Sequence, residues 1–230
     1  MTHDDRLSEV LGNARVVFFD FDGPVCDVFA GFPASRVAEQ LTAILTAKDV
    51  AAGAKAAETD DPIEVLRIAH EADAELGGEI EQRLTEAEIE AVAVAGPPTP
   101  GAVEALQAVN ASGRAVAVVS NNSAACVESF LEAHGLEGYV AKVVGRPTGQ
   151  PHLMKPNPFP LITAAERMHI DVTNCALIGD SLTDIQAAHA AGATVIAYAN
   201  KPHKADLFTE ARADTITDDM HAIADALTTA

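Results

Sequence analysis

Cations are scarce in this chain. Lys and Arg number 15 against 34 Asp and Glu, a formal charge of −19 over 230 residues. A nucleic-acid partner would call for a basic patch, and no such stretch is present, which argues against nucleic acid. Any anionic ligand must therefore meet a locally positive site. Aromatic residues are 4% and Trp is absent, so the core is expected to be aliphatic. The three cysteines, Cys26, Cys126 and Cys175, are odd in number and lack metal-ligand spacing. They read as reduced, buried thiols in a reducing compartment. No uninterrupted apolar run approaches the ~20 residues that span a bilayer. The first residues, Met-Thr-His-Asp-Asp-Arg, contain no apolar signal core. The expectation is a cytoplasmic monomer or homodimer with no membrane partner.

Hydrophobic residues, at 48%, are ample for a sizeable core. Six short apolar runs predict strands: 15–20, 114–120, 139–144, 175–180, 194–198 and 214–217. Four of them are continuous rather than alternating, as in strands covered on both faces. Amphipathic segments at 101–111, 124–134, 158–169, 183–191 and 204–213 lie between them. This alternation predicts an α/β, Rossmann-like parallel sheet with helices on both faces. Residues 27–95 break the rhythm. They hold no convincing strand, are rich in Ala and Glu, and show helical spacing at 35–46, 62–76 and 79–94. Gly96-Pro97-Pro98-Thr99-Pro100 then ends the segment stiffly. The expected organisation is a core from 1–26 and 96–230 with a helical insertion at 27–95.

Four motifs carry chemistry. Asp20-Phe21-Asp22-Gly23 places two carboxylates after an apolar strand, where ligands of parallel sheets bind. Gly23 permits a tight turn and close backbone approach. Ser120-Asn121-Asn122 ends the second strand before a helix whose N-terminus suits phosphate. Lys155-Pro156 supplies a compact cation before a Pro-stiffened helix. Gly179-Asp180-Ser181-Leu182-Thr183-Asp184 sets two acids about one turn apart, hard oxygen ligands of the kind that suit Mg²⁺. Each alone has an ordinary reading as a turn, a cap or a surface charge. Together, in this order, they make up the parts of a phosphoryl-transfer site: nucleophile, acid/base, charge clamp and metal ligands.

These motifs resemble the four ordered motifs of haloacid dehalogenase-like hydrolases, over residues 15–198. The resemblance implies a Rossmann-like core with a helical cap inserted after the first strand. It implies that Asp20 is phosphorylated and that Asp22 is its acid/base partner, with the higher pKa. Gly23, Ser120, Asn121 and Lys155 would hold the phosphoryl group. Asp20, Asp22, Asp180 and Asp184 would hold Mg²⁺ or its water. The substrate would be a small phosphorylated metabolite, such as phosphoglycolate or a sugar phosphate, hydrolysed as a phosphate monoester. Pro24 departs from the family's usual Thr or Val and leaves the geometry of its turn open. A sugar-phosphate mutase, a dehalogenase and a non-catalytic binding protein are the alternative readings. The presence of Asp22, Asp180 and Asp184 favours phosphoryl chemistry over dehalogenation. In the cap, Phe32 and Arg36 are candidate specificity residues. Arg146 is expected at the surface, and the acidic run 81–90 as a solvated helix face.

Overall fold

The computed structural model describes residues 3–228. Its centre is a six-stranded sheet: β1 (Val16–Phe19), β2 (Ala115–Val119), β3 (Lys142–Val144), β4 (Cys175–Gly179), β5 (Thr194–Tyr198) and β6 (Thr215–Thr217). All pairings are parallel, in the order β3-β2-β1-β4-β5-β6. The chain turns from one half of the sheet to the other beside β1, and ligand crevices open at such switch points. Alternation explains the double coverage. Val17 and Phe19 enter the core on one face, and Val16 and Phe18 that on the other. β4 divides likewise, with Ala176 and Ile178 opposite Cys175 and Leu177.

The helices are α1 (His3–Asn13), α2 (Ala34–Lys48), α3 (Val50–Ala56), α4 (Pro62–Ala72), α5 (Ala74–Val92), α6 (Ala102–Ala111), α7 (Ala124–Ala133), α8 (Phe159–Arg167), α9 (Leu182–Ala191), α10 (Lys204–Glu210) and α11 (His221–Thr228). Helices α2–α5 lie between β1 and α6 in the chain and close around their own cluster, including Val37, Leu41, Leu45, Leu66, Ile80 and Leu84. The helix expected over 62–76 is broken at Asp73. That residue is extended and caps α5, accepting hydrogen bonds from the N–H groups of Glu75 and Leu76. Asp49 caps α3, which the sequence reading did not anticipate, in the same way. Helices α1 and α11 were also unanticipated. Their short apolar stripes (Leu7, Val10 and Leu11; Ile223 and Ala226) are buried in the core. The third strand is shorter than expected, because Tyr139 belongs to a 3-10 turn. The three cysteines are free and buried, and burial raises each thiol pKa, that of Cys175 to about 12. Among the described residues, no helix is long and apolar enough to cross a membrane.

The two connections to the insertion are tied together. Thr99 donates its hydroxyl to the Gly23 carbonyl at 2.7 Å and its N–H to the Val25 carbonyl at 2.9 Å. Pro24 sits in a turn where the Phe21 carbonyl accepts from the N–H groups of Val25 and Cys26. No N–H is called on at position 24, so this turn tolerates proline.

Candidate active site

The strand ends bring Asp20, Ser120 and Asp180 to one edge of the sheet, at the mouth of a cleft of about 550 Å³. Asp22, Asn121 and Lys155 line the same cleft. Its opposite wall comes from the helical insertion and includes Phe29, Ser35, Asp60 and Asp61.

Lys155 is the hub. It is 2% exposed, and its Nζ lies 2.8 Å from Asp20 Oδ1, 2.6 Å from Asp184 Oδ1 and 3.0 Å from the Val119 carbonyl. It donates hydrogen bonds to Asp184 and the Val119 carbonyl and pairs as an ion with Asp20. Burial works against its charge, but Asp184 and Asp20 outweigh it and raise the Lys155 pKa. Its backbone is fixed as well: Asn121 Oδ1 accepts from the Lys155 N–H, and Asn121 Nδ2 donates to the Lys155 carbonyl. The surface reading of an isolated lysine is excluded here.

Asp20 Oδ1 also accepts from the Phe21 N–H at 2.7 Å. Its other oxygen, Oδ2, has no donor among the described residues. Burial, then the charge of Asp184, raises the Asp20 pKa to about 7 despite Lys155. Asp22 accepts from the Val28 N–H at 3.0 Å. Burial raises its pKa to about 6. Burial is the largest cause for both acids, and Asp184 adds to it at Asp20.

Asp184 is wholly buried and does not line the cleft. One of its oxygens faces Lys155. The other accepts from the Ser181 N–H and hydroxyl, forming a capping box at the start of α9. Its direct partners are therefore a lysine and a helix cap. Gly23 differs from expectation too. Its N–H goes to the Cys26 carbonyl, so it is not offered to a phosphate. Its role is steric: with φ at +103°, a Cβ there would lie 2.6 Å from the Asp180 carboxyl carbon. Ser120 is no helix cap, because Ser123 caps α7. Its hydroxyl instead exchanges hydrogen bonds with Asn122. Phe32 and Arg36 do not line the cleft; the guanidinium stacks 5.2 Å over the Phe32 ring.

Two features escaped the sequence reading. Lys204 donates to the Asp180 carbonyl at 2.7 Å and to Asp180 Oδ2 at 2.6 Å, and Asn200 donates to the same Oδ2 at 2.9 Å. Asp180 Oδ1 has no donor among the described residues. Arg146, expected at the surface, is buried. Its guanidinium reaches Glu88 at 2.8 Å, the Asn121 carbonyl and Thr85 Oγ1 at 3.1 Å, and Glu81 at 3.4 Å. Glu88 also accepts from the Asn122 side chain and the Ser123 N–H. Within the supposedly solvated run 81–90, Glu81 and Glu88 are in fact buried. Their seven-residue spacing, with Leu84 between them, was the available signal of an inward face.

One carboxylate oxygen from each of Asp20, Asp180 and Asp184 lies within 4.8 Å of the others. Hard oxygen donors in this number, two with an uncommitted oxygen, fit a divalent cation of the Mg²⁺ type. The site offers an uncommitted carboxylate oxygen at Asp20, a second acid whose pKa burial raises to about 6, and two lysines inside an acidic protein.

A family model described as haloacid dehalogenase-like hydrolase matches residues 14–192. A protein named phosphoglycolate phosphatase from Xylella fastidiosa (strain Temecula1) is 30% identical over 223 residues, covering 94% of this chain and 95% of its own. Two solved structures are similar in fold. One, from Haemophilus somnus and described as a predicted phosphoglycolate phosphatase, has a TM-score of 0.63 at 21% identity and covers 93% of this chain and 97% of its own. The other, a HAD-superfamily hydrolase of subfamily IA from Geobacter sulfurreducens, has a TM-score of 0.58 at 24% identity and covers 94% and 97%.

Proposed function

The chain belongs to the haloacid dehalogenase-like hydrolases, and from that premise we propose that it is a Mg²⁺-dependent phosphatase of small phosphate monoesters, with the α2–α5 insertion acting as its cap. The observation that carries this reading is the Lys155 hub, which holds one oxygen of Asp20 and leaves the other uncommitted.

Asp20 Oδ2 attacks phosphorus. The bond from phosphorus to the leaving oxygen breaks as the Asp20–phosphorus bond forms, and Asp22 gives its proton to the departing oxygen. Water then attacks the aspartyl-phosphate. Asp22 takes a proton from it, the bond to Asp20 breaks, and inorganic phosphate leaves. Burial supports Asp22 as a proton donor, since it raises the pKa to about 6. Lys155 and Ser120 hold phosphoryl oxygens, and Asn121 keeps Lys155 in place. Asp20, Asp180 and the chain at Asp22 would hold the metal, with Asp184 supporting it through Lys155. When bound, the metal neutralises phosphoryl charge and depresses the pKa of Asp20. The substrate is a soluble metabolite, and the setting is the cytoplasm.

The test is a metabolite phosphatase panel with and without Mg²⁺, with Asp20→Asn as control. Acid-quenched wild-type protein should carry one phosphoryl group, and the variant none. Equal turnover by Asp20→Asn would sink the mechanism.

A further inference from the structure

We propose that Lys204 and Asn200 are positioning residues that make this site select Mg²⁺ over Ca²⁺, by holding one oxygen of Asp180 so that the residue ligates through the other alone. The inference rests on the Mg²⁺-dependent phosphatase reading and concerns which divalent cation the same acids accept.

The oxygens of the acid cluster are the first ground. Asp184 has both engaged, one by Lys155 and the other by Ser181. Asp20 commits Oδ1 to Lys155 and the Phe21 N–H. Asp180 commits Oδ2 to Lys204 and Asn200. Asp20 Oδ2 and Asp180 Oδ1 receive no donor among the described residues. The three acids thus offer two single oxygens, each on a carboxylate whose other oxygen is held by a lysine. Mg²⁺ takes one or two carboxylates in an octahedral shell and keeps several waters, whereas Ca²⁺ takes about six to eight oxygens and accepts both from one carboxylate.

The restraint on Asp180 is the second ground. Lys204 opens α10 and Asn200 follows β5, the strand beside β4, so both reach Asp180 from the neighbouring strand end. Lys204 Nζ donates to the Asp180 carbonyl at 2.7 Å and to Oδ2 at 2.6 Å. It bridges the main chain and side chain of one residue, which fixes the carboxylate against its own backbone. The Lys204 and Asp180 side chains are only 17% and 15% exposed, so solvent screens the pair little. Asn200 adds a donor to the same oxygen at 2.9 Å. Gly23 packs so close on the other side that a Cβ there would lie 2.6 Å from the Asp180 carboxyl carbon, which leaves little room to pivot. Turning Asp180 to present both oxygens would strip a mostly buried ammonium of its partner. Ca²⁺ is denied the second oxygen, and Mg²⁺ has no use for it.

The test is calorimetric titration of the full chain with MgCl₂ and, separately, CaCl₂, read as the ratio of the Ca²⁺ Kd to the Mg²⁺ Kd. Wild type should bind Mg²⁺ the more tightly. Both ions carry the same charge, so loss of the Lys204 charge by itself moves the two affinities together and leaves the ratio in place. Lys204→Met, which keeps most of the stem and loses the donors, should lower the ratio about tenfold. Asn200→Ala should lower it less. Lys204→Arg, which keeps charge and donors, should stay near wild type. The proposal is overturned by tighter Ca²⁺ binding in wild type, by an unchanged ratio in folded Lys204→Met, or by an equal fall in Lys204→Arg. If Lys204→Met does not fold, Asn200→Ala decides, because that residue is exposed; an unchanged ratio there overturns the proposal as well. Wild-type protein that binds neither cation would strike the Mg²⁺ reading itself, and this inference with it.

Discussion

Asp22 and Asp20 are held where ionisation is unfavourable, and this has consequences for stability as well as chemistry. The Asp22 pKa rises from 3.8 to about 6, so the folded protein holds more protons than the unfolded chain between those values. Stability therefore falls as pH rises through that window, by at most about 3 kcal/mol from this group. In EDTA, Asp22→Asn should be more stable than wild type at pH 8 and gain little at pH 4, measured by urea unfolding. The same substitution should lower kcat by roughly 10²–10⁴-fold with Mg²⁺ present. A variant with wild-type kcat would remove Asp22 from the proton chemistry. Gly23 makes a different prediction. Gly23→Ala strains the left-handed backbone and pushes Cβ into the Asp180 carboxyl. Divalent-metal affinity, measured by calorimetry, should fall.

At the scale of elements, the insertion and the core are joined by a buried ionic clasp. Arg146 follows β3, whereas Glu81 and Glu88 lie on α5, and the Arg146 and Glu88 side chains are at most 1% exposed. Removing one partner strands the other's charge without solvent. Arg146→Met should destabilise the protein by about 3–5 kcal/mol in chemical unfolding. Adding Glu88→Gln should recover part of that loss, since less charge is left unpaired. Glu88 also touches Asn122, which exchanges hydrogen bonds with Ser120. Disturbing α5 thus reaches Ser120 in the cleft through two contacts. The α4–α5 junction shows how little sequence marks such a break: Asp73 looks like one more acid in a helix until its side chain is seen capping α5.

For the whole molecule, the decisive quantity is charge. A chain of net charge −19 gathers Asp20, Asp22, Asp180 and Asp184 at one sheet edge and answers them with Lys155 and Lys204. A divalent cation that binds the folded state alone should raise Tm with concentration. Mg²⁺ should give that rise in wild type, and Asp180→Asn should largely abolish it in a thermal-shift titration. An identical rise in both would remove Asp180 from the metal site.

Much of this arrangement is written in local pattern. Continuous apolar runs mark strands covered on both faces, and three of the four motifs directly follow a strand, so parallel pairing carries Asp20, Asp22, Ser120 and Asp180 to the same edge. Lys155 lies in the loop beyond β3, and it was legible from its place in the order of the motifs. The partners of those residues were not. That Asp184 faces Lys155 rather than the cleft, that Lys204 reaches back 24 residues to Asp180, and that Arg146 lies 58 residues from Glu88 all depend on how helices dock on the sheet. Burial of a charge is a property of what packs around it, and no window of sequence contains its neighbours. The motifs determined which chemistry stands at the strand ends. Only the tertiary structure decided which acids are paired, which remain open to a ligand, and that the wall facing them is acidic.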